Sequence, residues 1–425
     1  MLETVDIGFQ SVNSYEISAG REAVERMVML AAPLQNLRIA HVSATPFGGG
    51  VAEILRSEIP LLRDLGLKAD WKIISADESF FTVTKKIHNG IQGAPHSLTT
   101  KEKATYVEVS QANAQLFDEE YDVVVVHDPQ PLALLELGGK RSAQWIWRCH
   151  IDSSQPNTDV WAFLRPYLTH YDAAVFTLPD FVPADFPGCR VEIIAPGIDP
   201  QSSKNIELDD QRIAAVLQRT GLDLDRPFVT QVSRFDPWKD PMGVIAAYKL
   251  AKREVPGLQL ALVGSMALDD PEAWEIYHQV EKVSHDDPSI HLLTNLDGIG
   301  NLEVNALQRF ANSAIQKSLR EGFGLVVAET LWKETPIVAS RTGGIPLQMP
   351  DGQRCLVCSV EECAEQLVWL LHNPVEAKAL ARQGKNLVRK RFLLTRMIAD
   401  ELRLYASLLG RNGFRHSHCT ADTPD

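Results

Sequence analysis

The sequence predicts an α/β fold of two doubly wound, Rossmann-like domains that face each other across a deep cleft. Short apolar strands alternate with helical segments from residue 38 to about 194, and the alternation restarts at Phe228. The polar stretch at about residues 200–210 has few large apolar side chains and is expected to be the linker. The length of 425 residues is enough for two domains of ordinary size.

These boundaries give a first domain at residues 1–200 and a second domain at residues 201–410. The last helix is free to cross back to the first domain. The tail at 411–425 is polar and is expected to be disordered, so its histidines and cysteine are poor ligand candidates.

In the first domain, apolar runs bounded by turn residues mark the strands, and longer amphipathic runs mark the helices. The stretch 80–94 is less decisive and is expected to hold a helix and a loop. The predicted strands are Arg38–Ser43, Lys68–Ile74, Tyr121–Val126, Trp145–Arg148, Ala173–Phe176 and Val191–Ile194, and the predicted helices are Ser18–Ala31, Val51–Leu65, Lys101–Phe117 and Asp159–Tyr167.

The second domain shows the same alternation and ends in three helices. Its predicted strands are Phe228–Arg234, Gln259–Val263, His291–Thr294, Ala314–Gln316 and Pro336–Ala339. Its predicted helices are Met242–Glu254, Ala273–Val283, Leu302–Phe310, Leu325–Trp332, Glu361–His372, Ala377–Phe392 and Leu394–Leu409.

Composition excludes several classes of partner. The net charge of −13 and the pI of about 5.4 argue against a nucleic-acid or anionic-membrane surface. Apolar runs fall short of the roughly 20 residues that span a bilayer, and the N-terminal segment lacks a signal-peptide pattern, so a cytoplasmic location is expected. Six cysteines without a disulfide framework fit a reducing compartment, and we interpret Cys355-x-x-Cys358 as structural.

Polar residues and glycines follow several strands of the first domain, at the sheet edge where ligands bind in open α/β sheets. A triple-glycine loop that contains Gly49 and Gly50 follows the first strand, and such a loop lets backbone approach a phosphate or a sugar. Asp128 follows the strand at 121–126. His150 and Asp152 follow the next strand, which ends at Arg148. A buried core histidine and a turn-capping aspartate are the plainer interpretations.

The stretch SLREGFGLVVAE, residues 318–329, is the most informative segment of the second domain. Glu321 precedes the predicted helix and Glu329 lies roughly two turns farther along. A glycine-flanked helix start exposes unpaired N–H groups and suits a diphosphate, while the two carboxylates suit hydroxyl groups of a sugar and a ribose. An ordinary helix with two solvated acids is the alternative.

Two cations lie in the loop after the first strand of the second domain. Arg234 and Lys239 belong to the segment SRFDPWKD, and both could converge on one anion. Two separate surface cations are the usual outcome for such a pair. The combination with both glutamates and both glycine loops favours a shared diphosphate site.

The segments SRFDPWKD, E-x7-E with GFG inside it, and TGGIP together resemble the retaining GT-B glycosyltransferases over about residues 38–400. The segments HDPQP and WRCHID resemble the trehalose glycosyltransferring synthases, and the trehalose phosphorylases share much of the pattern. The resemblance implies reversible, retaining transfer of glucose from a nucleoside-diphosphate glucose to glucose, giving α,α-1,1-linked trehalose. It also implies that the first domain binds the acceptor and the second domain binds the nucleotide sugar.

The resemblance assigns a role to each candidate residue. Arg234 and Lys239 would hold the diphosphate, and Glu321 and His150 would contact the donor hexose near the reacting carbon. The remaining candidates are Gly49, Gly50, Gly322, Phe323, Gly324, Leu325 and Glu329 for the donor, and Asp128, Arg148 and Asp152 for the acceptor.

No tightly bound cofactor is expected, and any Mg²⁺ would arrive with the nucleotide. The expected partners are a nucleoside-diphosphate glucose and a small sugar acceptor, and the sequence leaves a monomer and a homodimer open. A trehalose phosphorylase, a sugar-nucleotide epimerase and an inactive binding protein are the alternative functions. The sequence contains no pattern that identifies the base of the donor or the physiological direction of the reaction.

Overall fold

The computed structural model describes residues 1–118, 120–139, 142–266, 271–350 and 354–411. Strands within these ranges form two sheets. The first sheet contains β1 (Glu3–Thr4), β2 (Arg38–Ser43), β3 (Lys68–Ile73), β4 (Val123–His127), β5 (Gln144–Arg148), β6 (Ala173–Phe176) and β7 (Arg190–Ile193). The second contains β8 (Phe228–Val232), β9 (Gln259–Gly264), β10 (Ile290–Thr294), β11 (Ser313–Gln316), β12 (Ile337–Ser340) and β13 (Leu356–Val357).

Helices cover the sheets. They are α1 (Glu16–Ala19), α2 (Arg21–Ala31), α3 (Gly49–Asp64), α4 (Glu78–Ile91), α5 (Thr100–Leu116), α6 (Leu134–Gly138), α7 (Thr158–Leu164), α8 (Asp210–Leu217), α9 (Pro241–Glu254), α10 (Pro271–Ser284), α11 (Asn301–Phe310), α12 (Leu325–Trp332), α13 (Val360–His372), α14 (Pro374–Arg391) and α15 (Leu394–Leu408). Local chemistry sets several of the starts. Asp77 accepts a bond from the Phe80 N–H to begin α4, and Thr99 and Glu102 form a capping box at α5.

The first sheet has the strand order β1-β3-β2-β4-β5-β6-β7. All neighbouring strands are parallel except β1, which pairs antiparallel with β3. The chain runs outward from β2 to β3 and then returns to place β4 on the other side of β2. The switch point between β2 and β4 therefore opens a crevice at the carboxyl ends of these two strands.

The second sheet has the order β10-β9-β8-β11-β12-β13 and is parallel throughout. Its switch point lies between β8 and β11. The segment that contains Arg234 and Lys239 follows β8, and the segment that contains Glu321 follows β11. The two predicted anion-binding segments of this half consequently lie side by side.

We call the first sheet with its covering helices the first lobe, and the second sheet with its covering helices the second lobe. Each sheet buries apolar side chains on both faces, as a parallel sheet requires. In the first lobe, Ile39 and Val125 pack with α2, α3 and α15, whereas Ala40 and Val124 pack with the helices α4 to α7. The alternation along each strand decides which face a side chain reaches.

The chain crosses between the lobes twice, at adjacent points. It leaves the first lobe after β7 and returns just before α15. Beside this return, the Ile198 N–H donates to the Phe392 carbonyl and the Leu394 N–H donates to the Ile198 carbonyl, both at 2.8 Å. Helix α15 then buries Leu394, Met397 and Leu402 in the apolar core of the first lobe. Helix α15, near the C-terminus, is therefore part of the first lobe, together with the N-terminal half of the chain.

The predicted fold class is confirmed, and the bounds of β6 and α12 match the predicted ranges. The uncertain stretch near residue 80 forms the helix α4. Sequence reasoning missed the two-residue strands β1 and β13 and the short helices α6 and α8, because their apolar runs are too brief to show a period. The tail beyond Arg411 lies outside the described residues.

The expectations about membrane-spanning segments and about the Cys355–Cys358 pair can be compared with the described part of the chain. None of its helices has the length and hydropathy needed to cross a membrane. Cys355 is buried and Cys358 is exposed, and both are free thiols. Burial raises the pKa of Cys355 to about 11, so this thiol stays protonated at neutral pH.

Candidate active site

The carboxyl ends of the two switch points face each other across the cleft. Gly50, at the start of α3 in the first lobe, lies against Leu325 at the start of α12, where a Cβ atom would come within 3.0 Å of the leucine side chain. Gly324 begins α12 with a left-handed backbone at φ 81°. Two helix starts therefore converge, and both direct backbone N–H groups into the cleft.

Lys239 and Glu321 form the centre of the second lobe's contribution. The Lys239 ammonium lies 2.6 Å from the Glu321 carboxylate. The same carboxylate oxygen accepts bonds from Ser318 at 3.1 Å and from Gln316 at 3.3 Å. The side chain of Lys239 is 17 % exposed. The structure thus joins a cation and a carboxylate that the sequence predicted for different parts of one substrate.

Arg234 lies beside this pair and is 44 % exposed. Its guanidinium bonds to Asp236 at 3.0 Å. Lys85, on α4 of the first lobe, approaches the same carboxylate at 3.6 Å. The carboxylate aims both cations toward one place, while most of the Arg234 fork remains open to an incoming anion.

Helix α4 contributes residues that sequence reasoning missed. Asn89 accepts a bond of 3.2 Å from the Trp238 indole of the second lobe. Burial, reinforced by Arg234 and Lys85, lowers the pKa of His88 to about 3, so this imidazole is neutral at the cation site. The stretch seemed indecisive in the sequence because its role depends on contacts across the cleft.

Gly322 marks the closest approach of the two lobes. A Cβ atom at this position would lie 2.0 Å from the carbonyl oxygen of His150, so only glycine permits the contact. Gly343 supports the same turn from behind, because its missing Cβ leaves room for the Glu321 carbonyl. The His150 carbonyl therefore points at the backbone that precedes α12.

Phe323 contributes packing at this turn. Its ring is buried against Phe392, with ring centroids 5.3 Å apart, and its carbonyl accepts a bond of 2.6 Å from Gln348. The side chain anchors the turn, and the neighbouring glycines leave backbone open. The role predicted for residues 322–325 was a backbone role, which remains a prediction.

Glu329 is more enclosed than the sequence suggested. Its side chain is 3 % exposed, and one carboxylate oxygen lies 3.5 Å from Lys204, which also contacts Glu53 at 2.7 Å. The other oxygen, Oε2, is buried and has no hydrogen-bond partner in the described residues. Burial raises the pKa of Glu329, and Lys204 opposes that rise. The predicted linker thus supplies a cation that bridges both lobes.

Asp128 holds the backbone of His150. Its Oδ1 accepts the His150 N–H at 2.8 Å, and Asp128 itself adopts a left-handed backbone at φ 62°. Burial raises the pKa of Asp128 to about 7, although the His150 N–H bond and Arg148 both act to lower it. This carboxylate positions the His150 main chain, and contact with an acceptor remains a prediction.

Arg148 does not reach the cleft. Its side chain is 3 % exposed and forms an ion pair with Glu401 of α15. The alternation of β5 turns it to the face that α15 covers. The acceptor contact predicted for Arg148 is therefore not supported, because the sequence did not show that the last helix would cover this strand end.

Asp152 is buried and has local partners. Its Oδ1 accepts bonds from the N–H and the hydroxyl of Ser154, and its Oδ2 lies 3.3 Å from Arg320 of the second lobe. The turn-capping interpretation therefore describes part of its role. The ion pair with Arg320 also ties the strand end of the first lobe to the segment that carries Glu321.

No group of three or more metal-ligating side chains occurs in the described ranges. Backbone N–H groups at two helix starts and the cations Arg234 and Lys239 give the cleft its anion-binding character. A carboxylate and a backbone carbonyl lie opposite them. This combination can hold a diphosphate on one side and a polyhydroxylated ring on the other.

The fold is that of the GT-B glycosyltransferases. The structure aligns with a trehalose 6-phosphate synthase from Burkholderia multivorans with a TM-score of 0.70 and 16 % identity, covering 89 % of this chain and 100 % of that chain. The family of glycosyl transferases group 1 matches residues 214–387. Fold and sequence together define a glycosyltransferase.

The sequence comparisons define the family more closely. The trehalose synthase N-terminal domain family matches residues 41–183. The trehalose synthase of Rubrobacter xylanophilus is 46 % identical and that of Pyrococcus horikoshii 42 % identical, covering 96 % and 95 % of this chain and 100 % and 98 % of those proteins. The chain belongs to the trehalose synthase family, as the resemblance of its motifs predicted.

Proposed function

We propose that the protein transfers glucose from a nucleoside-diphosphate glucose to free glucose, with retention, and makes α,α-1,1-linked trehalose in a reversible reaction. The observation that carries the proposal is the pairing of Lys239 with Glu321, beside Arg234 and opposite the His150 carbonyl. Membership of the trehalose synthase family supports the product.

The second lobe would hold the nucleotide. The diphosphate would lie at the start of α12, where N–H groups are unpaired, and Arg234 and Lys239 would take up the negative charge that develops as the glycosidic bond breaks. The buried Oε2 of Glu329 has no hydrogen-bond partner among the residues that the structure describes and would accept a ribose hydroxyl once Lys204 moves aside. Glu321 would bond hydroxyls of the donor glucose.

The route to retention follows from the carboxylates near the reacting carbon. A double displacement needs a free carboxylate on the face opposite the leaving group. Asp128 is committed to the His150 N–H, and Asp152 to Ser154 and Arg320. Since the His150 carbonyl faces the turn at Gly322, we favour a front-face reaction in which a phosphate oxygen of the donor accepts the acceptor's proton.

The test is incubation of the purified protein with glucose and a panel of nucleoside-diphosphate glucoses. We expect a disaccharide whose NMR spectrum shows one α,α-1,1 linkage, together with release of the nucleoside diphosphate. Acceptors other than glucose, including glucose 6-phosphate, belong to the same panel. Absence of transfer from every donor would contradict the proposal.

Two alternative outcomes have distinct signatures. A phosphorylase would make trehalose from glucose 1-phosphate and glucose and would show no affinity for a nucleotide. An epimerase would convert the donor without any acceptor, so labelled donor with and without glucose separates it from a transferase. Nucleotide titration of the resting protein therefore separates the phosphorylase from the transferase before any product is identified.

A further inference from the structure

Three histidines form a continuous row in the first lobe. His41 Nδ1 lies 3.1 Å from His127 Nε2, and His127 Nδ1 lies 3.0 Å from His150 Nε2. The rings of each successive pair have centroids 5.3 Å apart. We call these three residues the histidine row, and Glu58 of α3 closes its inner end, with a carboxylate oxygen 3.7 Å from His41 Nε2.

The row follows from strand register. His41 pairs with Val125 on β4, and His127 stands two residues farther along that strand; His127 in turn pairs with Arg148, and His150 stands two residues farther again. Steps of two keep side chains on one face of a sheet, and neighbouring strands lie about 4.8 Å apart. The row therefore crosses the sheet diagonally from its interior toward the ligand-binding edge.

The outer end of the row lies at the candidate active site and the inner end is sealed. His150 is half-buried, and its Nδ1 has no partner in the described residues. His41 and Glu58 are fully buried, and in the described residues neither His41 Nε2 nor either Glu58 oxygen has a hydrogen-bond partner, because their separation of 3.7 Å is beyond hydrogen-bond distance. A buried carboxylate without partners is costly, so its position beside an imidazole calls for a role.

Burial lowers the pKa of all three imidazoles, and they are neutral at neutral pH. A neutral imidazole has one N–H and one lone pair, so each N···N contact needs a donor and an acceptor. Once one ring's tautomer is set, the others must follow. The tautomer set at one end of the row therefore determines the tautomer at the other end.

We propose that Glu58, acting through His41 and His127, fixes the tautomer of His150 so that its Nδ1 presents a lone pair to the sugar in the cleft. A carboxylate attracts an N–H and repels a lone pair, so the Glu58 carboxylate, 3.7 Å from His41 Nε2, electrostatically favours the His41 tautomer that carries its proton on Nε2 and accepts from His127 Nε2–H at Nδ1. His127 then accepts from His150 Nε2–H. Glu58, His41 and His127 are positioning residues, and His150 is the residue that meets a hydroxyl group of the substrate. The relevance to turnover rests on the proposed function.

Charged and polar side chains of β5 and α15 surround the inner end of the row. Arg148 lies on the same face and attracts Glu58 electrostatically, and Glu401 pairs with Arg148 from α15. Tyr405, also on α15, is buried near Glu58 and Arg148. In the described residues, Glu58 is the one of these four groups that places a carboxylate oxygen 3.7 Å from the histidine row.

The direct test is the tautomer of each ring in the wild-type protein. Long-range ¹H–¹⁵N correlation of protein labelled with ¹⁵N-histidine distinguishes Nε2–H from Nδ1–H, and single histidine variants assign the signals. We expect Nε2–H at His41, His127 and His150. Nδ1–H at these positions would reverse the row and overturn the proposal, whether or not the protein turns over any donor.

The kinetic test compares Glu58→Gln with Glu401→Gln, two buried glutamates at the same inner end. An amide can donate or accept, so Glu58→Gln releases the tautomer, and kcat should fall about tenfold while the affinity for the nucleoside diphosphate alone is unchanged. Glu401→Gln should lower Tm and leave kcat within twofold. Equal losses of kcat in both variants would show a general effect of buried charge and would overturn the proposal.

Discussion

The two lobes prepare the cleft with different chemistry. The second lobe offers charged pairs that solvent reaches: Arg234 is 44 % exposed, and Lys239 and Glu321 hold each other at 2.6 Å. The first lobe offers groups that are half-buried and neutral or committed, including His150, whose pKa is lowered by desolvation, and Asp128, whose pKa is raised to about 7 by desolvation.

The difference matches the two parts of a nucleotide sugar. A diphosphate leaving group gains charge during reaction, and mobile cations at a partly exposed edge can move toward it. A hexose carries hydroxyl groups without charge, and fixed neutral donors and acceptors select its orientation. We therefore expect the second lobe to stabilise charge and the first lobe to orient the sugar. The following variants test this division.

The largest effect is expected from Glu321→Gln. Loss of the carboxylate charge releases Lys239 and leaves one amide oxygen as the acceptor for Ser318 and Gln316, so kcat should fall by about 10²–10³ while Tm stays near that of the wild type. Steady-state kinetics and thermal unfolding measure both. Glu334→Gln, the same change just beyond the other end of α12, is the control and should retain kcat. A normal kcat in Glu321→Gln would show that Glu321 is not central to the charged site of the second lobe.

Gly322→Ala tests whether the lobes must meet. Its Cβ would lie 2.0 Å from the His150 carbonyl, so the lobes must separate or the turn must shift. A displacement of about 1 Å at a reacting centre lowers kcat roughly hundredfold, and we expect a loss of that order. Gly188→Ala, which meets open space, is the control. Wild-type turnover in the Gly322 variant would mean that catalysis does not require this contact between the lobes.

Glu329→Gln is expected to have a moderate effect, limited to the nucleotide. The variant loses the charge that attracts Lys204 and weakens a bond to ribose, so the Kd for a nucleoside diphosphate should rise about tenfold in a calorimetric titration. Glu53→Gln removes the exposed partner of Lys204 and should change the Kd less than twofold. Equal weakening in both variants would assign the effect to Lys204 instead of Glu329.

The variant with the smallest expected effect on turnover tests the pH dependence of stability. The pKa of Asp128 is raised in the folded protein, so between about pH 4 and pH 7 the unfolded chain loses this proton and the folded chain keeps it. Asp128 therefore lowers the free energy of unfolding as pH rises through that window, by at most about 1.4 kcal/mol per pH unit.

Asp128→Asn should remove this contribution while still accepting the His150 N–H, and asparagine tolerates the left-handed backbone. Denaturant unfolding at pH 5, 6 and 7 would show a shallower loss of stability than in the wild type. Asp286→Asn, at an exposed position, should keep the wild-type slope. An unchanged slope in Asp128→Asn would mean that Asp128 is ionised in the folded protein.

The sequence was informative wherever short-range pattern determines the outcome. The apolar run at 173–176 and the helix formers at 325–332 gave elements with the observed bounds, because local burial and propensity agree there. The motifs placed Lys239 and Glu321 in segments that follow predicted strands, and the structure shows that these strands, β8 and β11, are neighbours. Their direct ion pair was not predicted, since it depends on how two loops lie side by side.

Other parts of the candidate site depend on contacts between distant segments. Lys204 appeared to belong to an unremarkable polar linker, yet it reaches carboxylates of both lobes. Arg148 was predicted to lie in the cleft. Its pairing with Glu401 could not be predicted, because that pairing requires the last helix to return to the first lobe. The histidine row requires a diagonal register over three strands, and single-sequence periodicity carries no information about that register.

The return of α15 has a consequence for biosynthesis. The chain emerges from the ribosome N-terminus first, but the apolar face beneath β2, β4 and β5 is completed by Met397 and Leu402, which emerge after the second lobe. The first lobe must therefore wait with this face open while the second lobe is being made. Maturation of the first lobe is tied to the arrival of α15, so truncated products lacking that helix would be exposed to chaperones and proteases.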